Sequence, residues 1–236
     1  MSVAAPEVPA AAGPATGAGA DWRRDSRNAA PPDLLTGFRF PPGYLVSPED
    51  HGNVVSREEF WELRDAASWK IERADGKIVV MPRSGRPHRR AAYAVRVSLS
   101  EYWMSHRGIV RDVEPERWVL FGDATDRFPD AAVLLIDSPL AGDHLDPERV
   151  PDVLFEFVSP GRDARDRDYT EKRAEYHALG VREYVIVDPD ERRVTVLRWE
   201  PDGYAEAAVL DPAGAYTSPL LPGPSVPLAD ALAGDE

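Results

Sequence analysis

The run Asp152-Val-Leu-Phe-Glu-Phe-Val158 is a strand-like apolar stretch with one acid, Glu156, inside it. Successive strand residues face opposite sides, so Val153, Phe155 and Phe157 share one face while Leu154, Glu156 and Val158 share the other. A carboxylate flanked by Leu154 and Val158 is desolvated unless a cation meets it. The alternative, an exposed acid on an edge strand, fits poorly with so apolar a segment. The next segment, Arg165–Gly180, reads as an amphipathic helix with an inward stripe of Tyr169, Lys172, Tyr176 and Leu179. A strongly hydrated ammonium among those side chains is costly unless a partner needs it there. Its alternative is a lysine whose stem packs and whose head snorkels to water. Upstream, Phe128-Pro129-Asp130 places an acid just before Ala131–Ile136, which is apolar on both faces and suits a central strand. Pro-Asp is also common turn chemistry. Asp130 gains its weight from standing at the mouth of that strand.

Working outward, Ser56 with Glu59 forms a capping-box pattern ahead of Phe60, Trp61 and Leu63, which predicts a helix over 57–66. Trp69–Arg73 and Lys77–Met81 read as strands joined through Asp75-Gly76, a hairpin signal. A helix from His88 to His106 follows, with Ala92, Val95, Leu99 and Trp103 on one face and Gly108 ending it. Ile109–Val113, Arg117–Phe121 and Tyr184–Val187 are further strands, and Val194–Trp199 with Tyr204–Leu210 forms a final antiparallel pair. Strands alternating with helices, flanked by hairpins, indicate an α/β (α+β) fold with helices packed on a mixed sheet.

Of the first twenty residues fourteen are Ala, Gly or Pro. Residues 1–35 are therefore expected to be a disordered extension, and 36–236 one domain. The tail from Asp211, with five prolines, is expected to wind over the surface. There is no cysteine, so no disulfide or thiolate metal site exists. No apolar run reaches membrane-spanning length, and the N-terminus lacks a signal-like basic and apolar pattern. A cytoplasmic location with no membrane partner is the expectation.

The net charge of −13 argues against a surface that holds nucleic acid by charge everywhere, since phosphate binding rests on Lys and Arg. It allows a local basic rim. Arg86, Arg89, Arg90, Arg162 and Arg165 are the residues expected there, although solvated mixed-charge faces are the commoner meaning of such runs.

Two acids from neighbouring strands and a lysine from the next helix are the parts of a metal-dependent phosphodiester-cleaving site. Asp130 and Glu156 can hold Mg²⁺ (or Mn²⁺), a hard cation that prefers oxygen and keeps several waters. The metal activates water and neutralises phosphate charge. Lys172 can orient the nucleophile or stabilise the transition state. The Phe157 backbone carbonyl offers another metal oxygen. Glu72, on the strand before Asp75-Gly76, is a fourth candidate whose local alternative is an ordinary hairpin charge. His88, after a Gly/Pro turn, is on its own more often a cap or surface residue than a base or ligand. No Gly-rich phosphate loop, His-Glu-x-x-His or Gly-x-Ser-x-Gly pattern occurs, and the five histidines show no zinc spacing.

Several stretches together resemble the Uma2 family of endonucleases in the PD-(D/E)XK superfamily. They are Trp69–Pro82 with His88, Phe128–Asp130, Val153–Pro160, Asp166–Tyr176 and Gly180–Pro189, within a likeness spanning about residues 45–228. The resemblance implies a restriction endonuclease-like core. It assigns Asp130 to the Pro-Asp motif, Glu156 to the (D/E)XK acid and Glu72 to the N-terminal acid. Val158 stands where the superfamily usually has lysine, and Lys172 on the following helix matches the family's migrated lysine. Phe157 and Val185 depart mildly from the family pattern. The implied activity is Mg²⁺-dependent hydrolysis of DNA, with Glu72 assisting as an outer metal or water ligand. Homodimers are frequent in the superfamily, and a homodimer is carried as an expectation. The competing expectations are a catalytically inactive module of the same fold that binds nucleic acid or protein, and a metal-dependent hydrolase of another substrate.

Overall fold

Six strands pair into the central sheet, and the three in its middle are buried along their whole length. A computed structural model describes residues 40–41, 44–81, 84–140 and 149–233. The extension expected over 1–35 lies outside the described residues. The strands are β1 (Ile71–Ala74), β2 (Lys77–Val80), β3 (Val110–Glu114), β4 (Val119–Phe121), β5 (Thr125–Arg127), β6 (Ala131–Leu135), β7 (Val153–Phe157), β8 (Glu183–Asp188), β9 (Arg193–Glu200), β10 (Gly203–Leu210), β11 (Ala215–Ser218) and β12 (Leu221–Pro227). The central sheet has the order β10-β9-β8-β7-β6-β3. Only β7 and β8 in it run parallel, joined by a helical crossover, so the sheet is mixed.

Alternation on β7 sorts its side chains as the sequence predicts. Phe155 and Phe157 enter a core with Val133, Val185 and Val196, covered by α2 (Arg86–Ser105) and the β11–β12 hairpin. Leu154 and Val158 enter a second core with Ile186, Tyr176 and Tyr184 beneath the crossover helix. The smaller sheet, ordered β2-β1-β5-β4, packs with α1 (Arg57–Ala66) around Phe60, Ile71, Ile78 and Phe128. The β1–β2 turn uses Asp75 and Gly76 at φ 50° and 73°, the positive values that a tight two-residue hairpin requires.

Two expectations are corrected, and one strand was not foreseen. The tail from Asp211 does not wind over the surface: it forms β11–β12 and buries Tyr216, Leu228 and Leu232 in the core. Its prolines are tolerated because a two-stranded hairpin has outer edges where no ladder N–H is missed. Thr125–Arg127, three residues with two charges, is a buried strand because its ionic groups are paired. The crossover helix is not continuous: α3 (Arg162–Asp166) and α4 (Lys172–Ala178) are separated by a π turn over Arg167–Glu171.

Candidate active site

Lys172 has no exposed side-chain surface, and its Nζ lies 2.8 Å from Glu156 Oε1, 3.1 Å from Glu72 Oε1 and 3.6 Å from Asp168 Oδ1. Tyr176, one helical turn on, donates its hydroxyl to the same Glu156 oxygen at 2.8 Å. Ala164, Asp168, Lys172 and Tyr176 are buried at a four-residue spacing along this helix, with Arg167 buried beside them. Such a spacing drifts by about 40° per step around a 3.6-residue helix. The wider π turn offsets that drift and keeps Asp168 on the side of Lys172, in keeping with the frequent use of π turns at functional sites.

Asp130 faces the other side of Glu156. Its Oδ1 accepts from Lys70 Nζ at 2.7 Å, and its Oδ2 accepts the Phe157 backbone N–H at 2.9 Å. His88 Nε2 stands 3.6 Å from Asp130 Oδ2. Asp130, Glu156, Phe157, Asp168, Lys70 and His88 line one narrow cleft, with Ser84 and Ser159 at its edges. Asp130 and Glu156 thus reach the same cavity from adjacent strands.

Glu72 and Lys172 sit behind this wall. Glu72 is fully buried; besides Lys172 it accepts from Arg127 Nη1 at 3.2 Å and from the Phe128 backbone N–H at 3.2 Å. Arg127 in turn grips Glu175 through Nε (2.8 Å) and Nη2 (2.7 Å).

Electrostatics separates the acids. Burial opposes ionisation of Glu72, but Lys172 and then Arg127 outweigh it and hold its carboxyl below the usual range. Burial likewise opposes ionisation of Asp130, and Lys70 and His88 overcome it, so this carboxyl stays ionised. Glu156 goes the other way. Burial pushes it up to about 8, against the pull of Lys172 and with help from Asp130, Asp168 and Glu72. Asp168 is also raised, chiefly by burial. Glu72 and Asp130 have further cations in Arg127 and Lys70, whereas Glu156 and Asp168 share Lys172, and environments that drive neighbouring carboxyls apart are characteristic of acid–base and metal sites.

Sequence reasoning missed three residues of this cluster. Lys70 shares a strand face with Glu72, two residues on, which was its available signal. Asp168 lies four residues before Lys172, but ordinary α-helical spacing favours Tyr169, which is only half-buried. Arg127 gave no signal in a segment without apolar periodicity. His88 is buried rather than capping the surface, and its ring meets Phe157 edge-on at 5.8 Å. The expected basic rim is divided. Arg86 and Arg89 are exposed at the start of α2, where Arg89 bonds the Ser84 carbonyl, and Arg162 is exposed beyond Ser159. Arg90 instead reaches the Ala233 carbonyl, and Arg165 is held by Asp188 at 2.6 Å.

The Uma2 family model, described as "Putative restriction endonuclease", matches residues 57–229. The chain belongs to the Uma2 family. Among solved structures, the Uma2 chain is similar to a protein from Anabaena variabilis ATCC 29413 described as a "putative nuclease belonging to DUF820". The two are 20% identical, with a TM-score of 0.56 over 75% of this chain and 97% of the other. That likeness establishes the restriction endonuclease-like fold. No curated protein matches the chain.

Families of this fold generally use divalent metal ions. Among the described residues, no group of three or more His, Asp or Glu side chains is arranged as a ready metal cage. The donor chemistry nevertheless fits a hard cation. Asp168 Oδ1 is buried without a hydrogen bond, and both hydrogen bonds to Glu156 fall on Oε1. Carboxylate oxygens from Asp130, Glu156 and Asp168 in one cleft are the ligand type Mg²⁺ takes, and Mg²⁺ keeps waters in its remaining positions.

Proposed function

We propose that this Uma2 protein is a Mg²⁺-dependent endonuclease that hydrolyses DNA phosphodiester bonds in the cytoplasm. The observation that carries this reading is the convergence of Asp130 and Glu156 on one cleft, with buried Lys172 bonded to Glu156. Asp130, Glu156 and the Phe157 carbonyl are the proposed metal ligands, with Asp168 as a further oxygen. A bound Mg²⁺ supplies charge neutralisation at the phosphate and acidifies a coordinated water.

The chain's own residues do the rest. Lys70 and the Phe157 N–H hold Asp130 in one rotamer and keep it ionised. Lys172 and Tyr176 fix the Glu156 carboxyl by its inner oxygen. Glu72 acts through Lys172: anchored by Arg127 and the Phe128 N–H, it steadies the ammonium, a role further from the chemistry than that of an outer ligand. Lys172, at 2.8 Å from Glu156, supplies positive charge on the buried side of the reacting centre. His88, in the cleft beside Asp130, is placed to move a proton at Nε2.

The test uses plasmid, linear and single-stranded DNA, with and without Mg²⁺ or Mn²⁺. Wild type is expected to cleave only with metal, while Asp130→Ala, Glu156→Ala and Lys172→Ala lose nearly all activity with the fold retained. Cleavage that persists equally in all three would identify a contaminant. DNA binding without cleavage under every metal would favour the inactive binding module.

A further inference from the structure

Beside the cleft lies a second, open groove lined by His51, Pro160, Gly161, Arg162, Asp163 and Arg167. The two cavities are neighbours along the chain on both walls: Ser159 and Asp168 line the cleft, Pro160 and Arg167 the groove. Gly161, at φ 110°, makes the turn from β7 into α3, a conformation that L side chains rarely adopt.

Arg167 is the unusual feature. It is 7% exposed, yet its Nε and Nη2 are buried without any hydrogen-bond partner. Its nearest carboxylate oxygen, Asp168 Oδ1, is 4.0 Å from Nε, too far for a hydrogen bond. A buried guanidinium with idle donors is expensive, and its planar fork matches a phosphate. The π turn that aligns Asp168 with Lys172 also places Arg167 at the groove. Arg162 adds an exposed positive charge, tied loosely to Asp166 at 3.6 Å. His51 accepts the Val80 N–H at Nδ1 (3.3 Å), so in the neutral ring Nε2 carries the proton and is a donor. Asp163 is the opposing charge on the lining.

We infer that this groove is a phosphate subsite, centred on Arg167 with Arg162 and His51, that holds a backbone phosphate of the nucleic acid next to the scissile one. The inference rests on the nuclease reading and adds a binding residue to it.

Two arms separate failure of the subsite from failure of that reading. In the first, inorganic phosphate is titrated into the full ¹⁵N-labelled chain while the Arg167 Nε–Hε signal, assigned by its loss in Arg167→Lys, is followed. A saturable shift is expected, and its absence overturns the proposal. In the second, a fluorescent DNA duplex is titrated by anisotropy with Ca²⁺ in place of Mg²⁺. Arg167→Ala should weaken binding about 10-fold regardless of sequence and reduce the salt slope by about one. Arg162→Ala, an exposed change that spares the fold, should weaken it less. Should Arg167→Ala not fold, Arg167→Lys serves: weaker binding with an unchanged salt slope supports a lost fork with its charge kept. DNA binding by wild type that neither Arg167 variant alters would overturn the subsite with the nuclease reading intact. A phosphate shift without DNA binding by wild type would overturn the nucleic-acid assignment and leave a site for free phosphate.

Discussion

Asp126 and Glu156 are both buried carboxylates, and they are built in opposite ways. Asp126 is a single acid among cations and donors: it accepts from Arg73 Nε at 2.5 Å and Trp118 Nε1 at 2.9 Å, and Arg57 Nε lies 3.2 Å away as an ion pair. Arg73 Nη2 and Arg57 Nη2 bond the Asp123 and Gly122 carbonyls, and α1, β1 and β5 are stapled together. Glu156 sits in a surplus of acid, sharing one lysine with Glu72 and Asp168, beside a cleft. A satisfied buried charge holds a fold, whereas an under-compensated one beside a cavity stores affinity for a cation. The difference lies in partner count and in access to the cleft.

Exchanging readouts between the two acids is the sharpest way to break this contrast. Glu156→Gln removes a carboxyl that burial already disfavours as an anion, so its melting temperature should equal or exceed that of wild type. Metal-dependent cleavage should fall by about 10³-fold or more, since several kcal/mol of metal-derived stabilisation is lost. Asp126→Ala leaves buried Arg73 and part of Arg57 uncompensated, and should cost about 3–5 kcal/mol by denaturant titration. Activity per folded molecule should survive it. If Asp126→Ala silences folded protein, or Glu156→Gln melts far below wild type, the two sites are not different in kind.

A smaller effect sharpens the picture of the acid surplus. Lys172→Met should destabilise by about 3–5 kcal/mol because Glu72, Glu156 and Asp168 lose their shared cation. Adding Glu156→Gln should recover about 0.5–3 kcal/mol of that loss in a double-mutant cycle. Strict additivity would mean that Lys172 and Glu156 do not act as a pair.

A separate effect is in pH. The Glu156 carboxyl titrates near 8 in the folded chain and near 4.3 in an unfolded one, so between these values the folded state binds the extra proton. Its contribution to stability is present below the unfolded value and is lost as pH rises toward 8. Glu72 and Asp130, both depressed, have the opposite sign: their contribution is present above the unfolded carboxyl range and is lost as pH falls through their folded values. The stability difference between wild type and Glu156→Gln, measured from pH 5 to 8.5, isolates Glu156 and should move against wild type with rising pH. A flat difference would contradict a raised carboxyl.

Much of this was legible in the residues. Alternation along Val153–Val158 placed Glu156 opposite Phe155 and Phe157, and helical spacing turned Lys172 inward. Local rules sufficed there because one apolar face or turn fixed the answer. They failed where long-range pairing decides. Thr125–Arg127 is a strand only because Glu72, Arg73 and Glu175, far away in sequence, pair its charges. The π turn leaves no mark in composition, and without it Asp168 reads as a surface acid. The prolines of the last segment concealed a hairpin whose buried Tyr216 bonds Glu183 at 2.5 Å.

The central claim, that the acid surplus at Glu156 exists to hold a divalent cation, is tested most directly by titrating Mn²⁺ and following free Mn²⁺ by electron paramagnetic resonance. Wild type and folded Asp126→Asn should take up Mn²⁺ equally, whereas Glu156→Gln and Asp130→Asn should not. Equal uptake by wild type and Glu156→Gln would contradict the account.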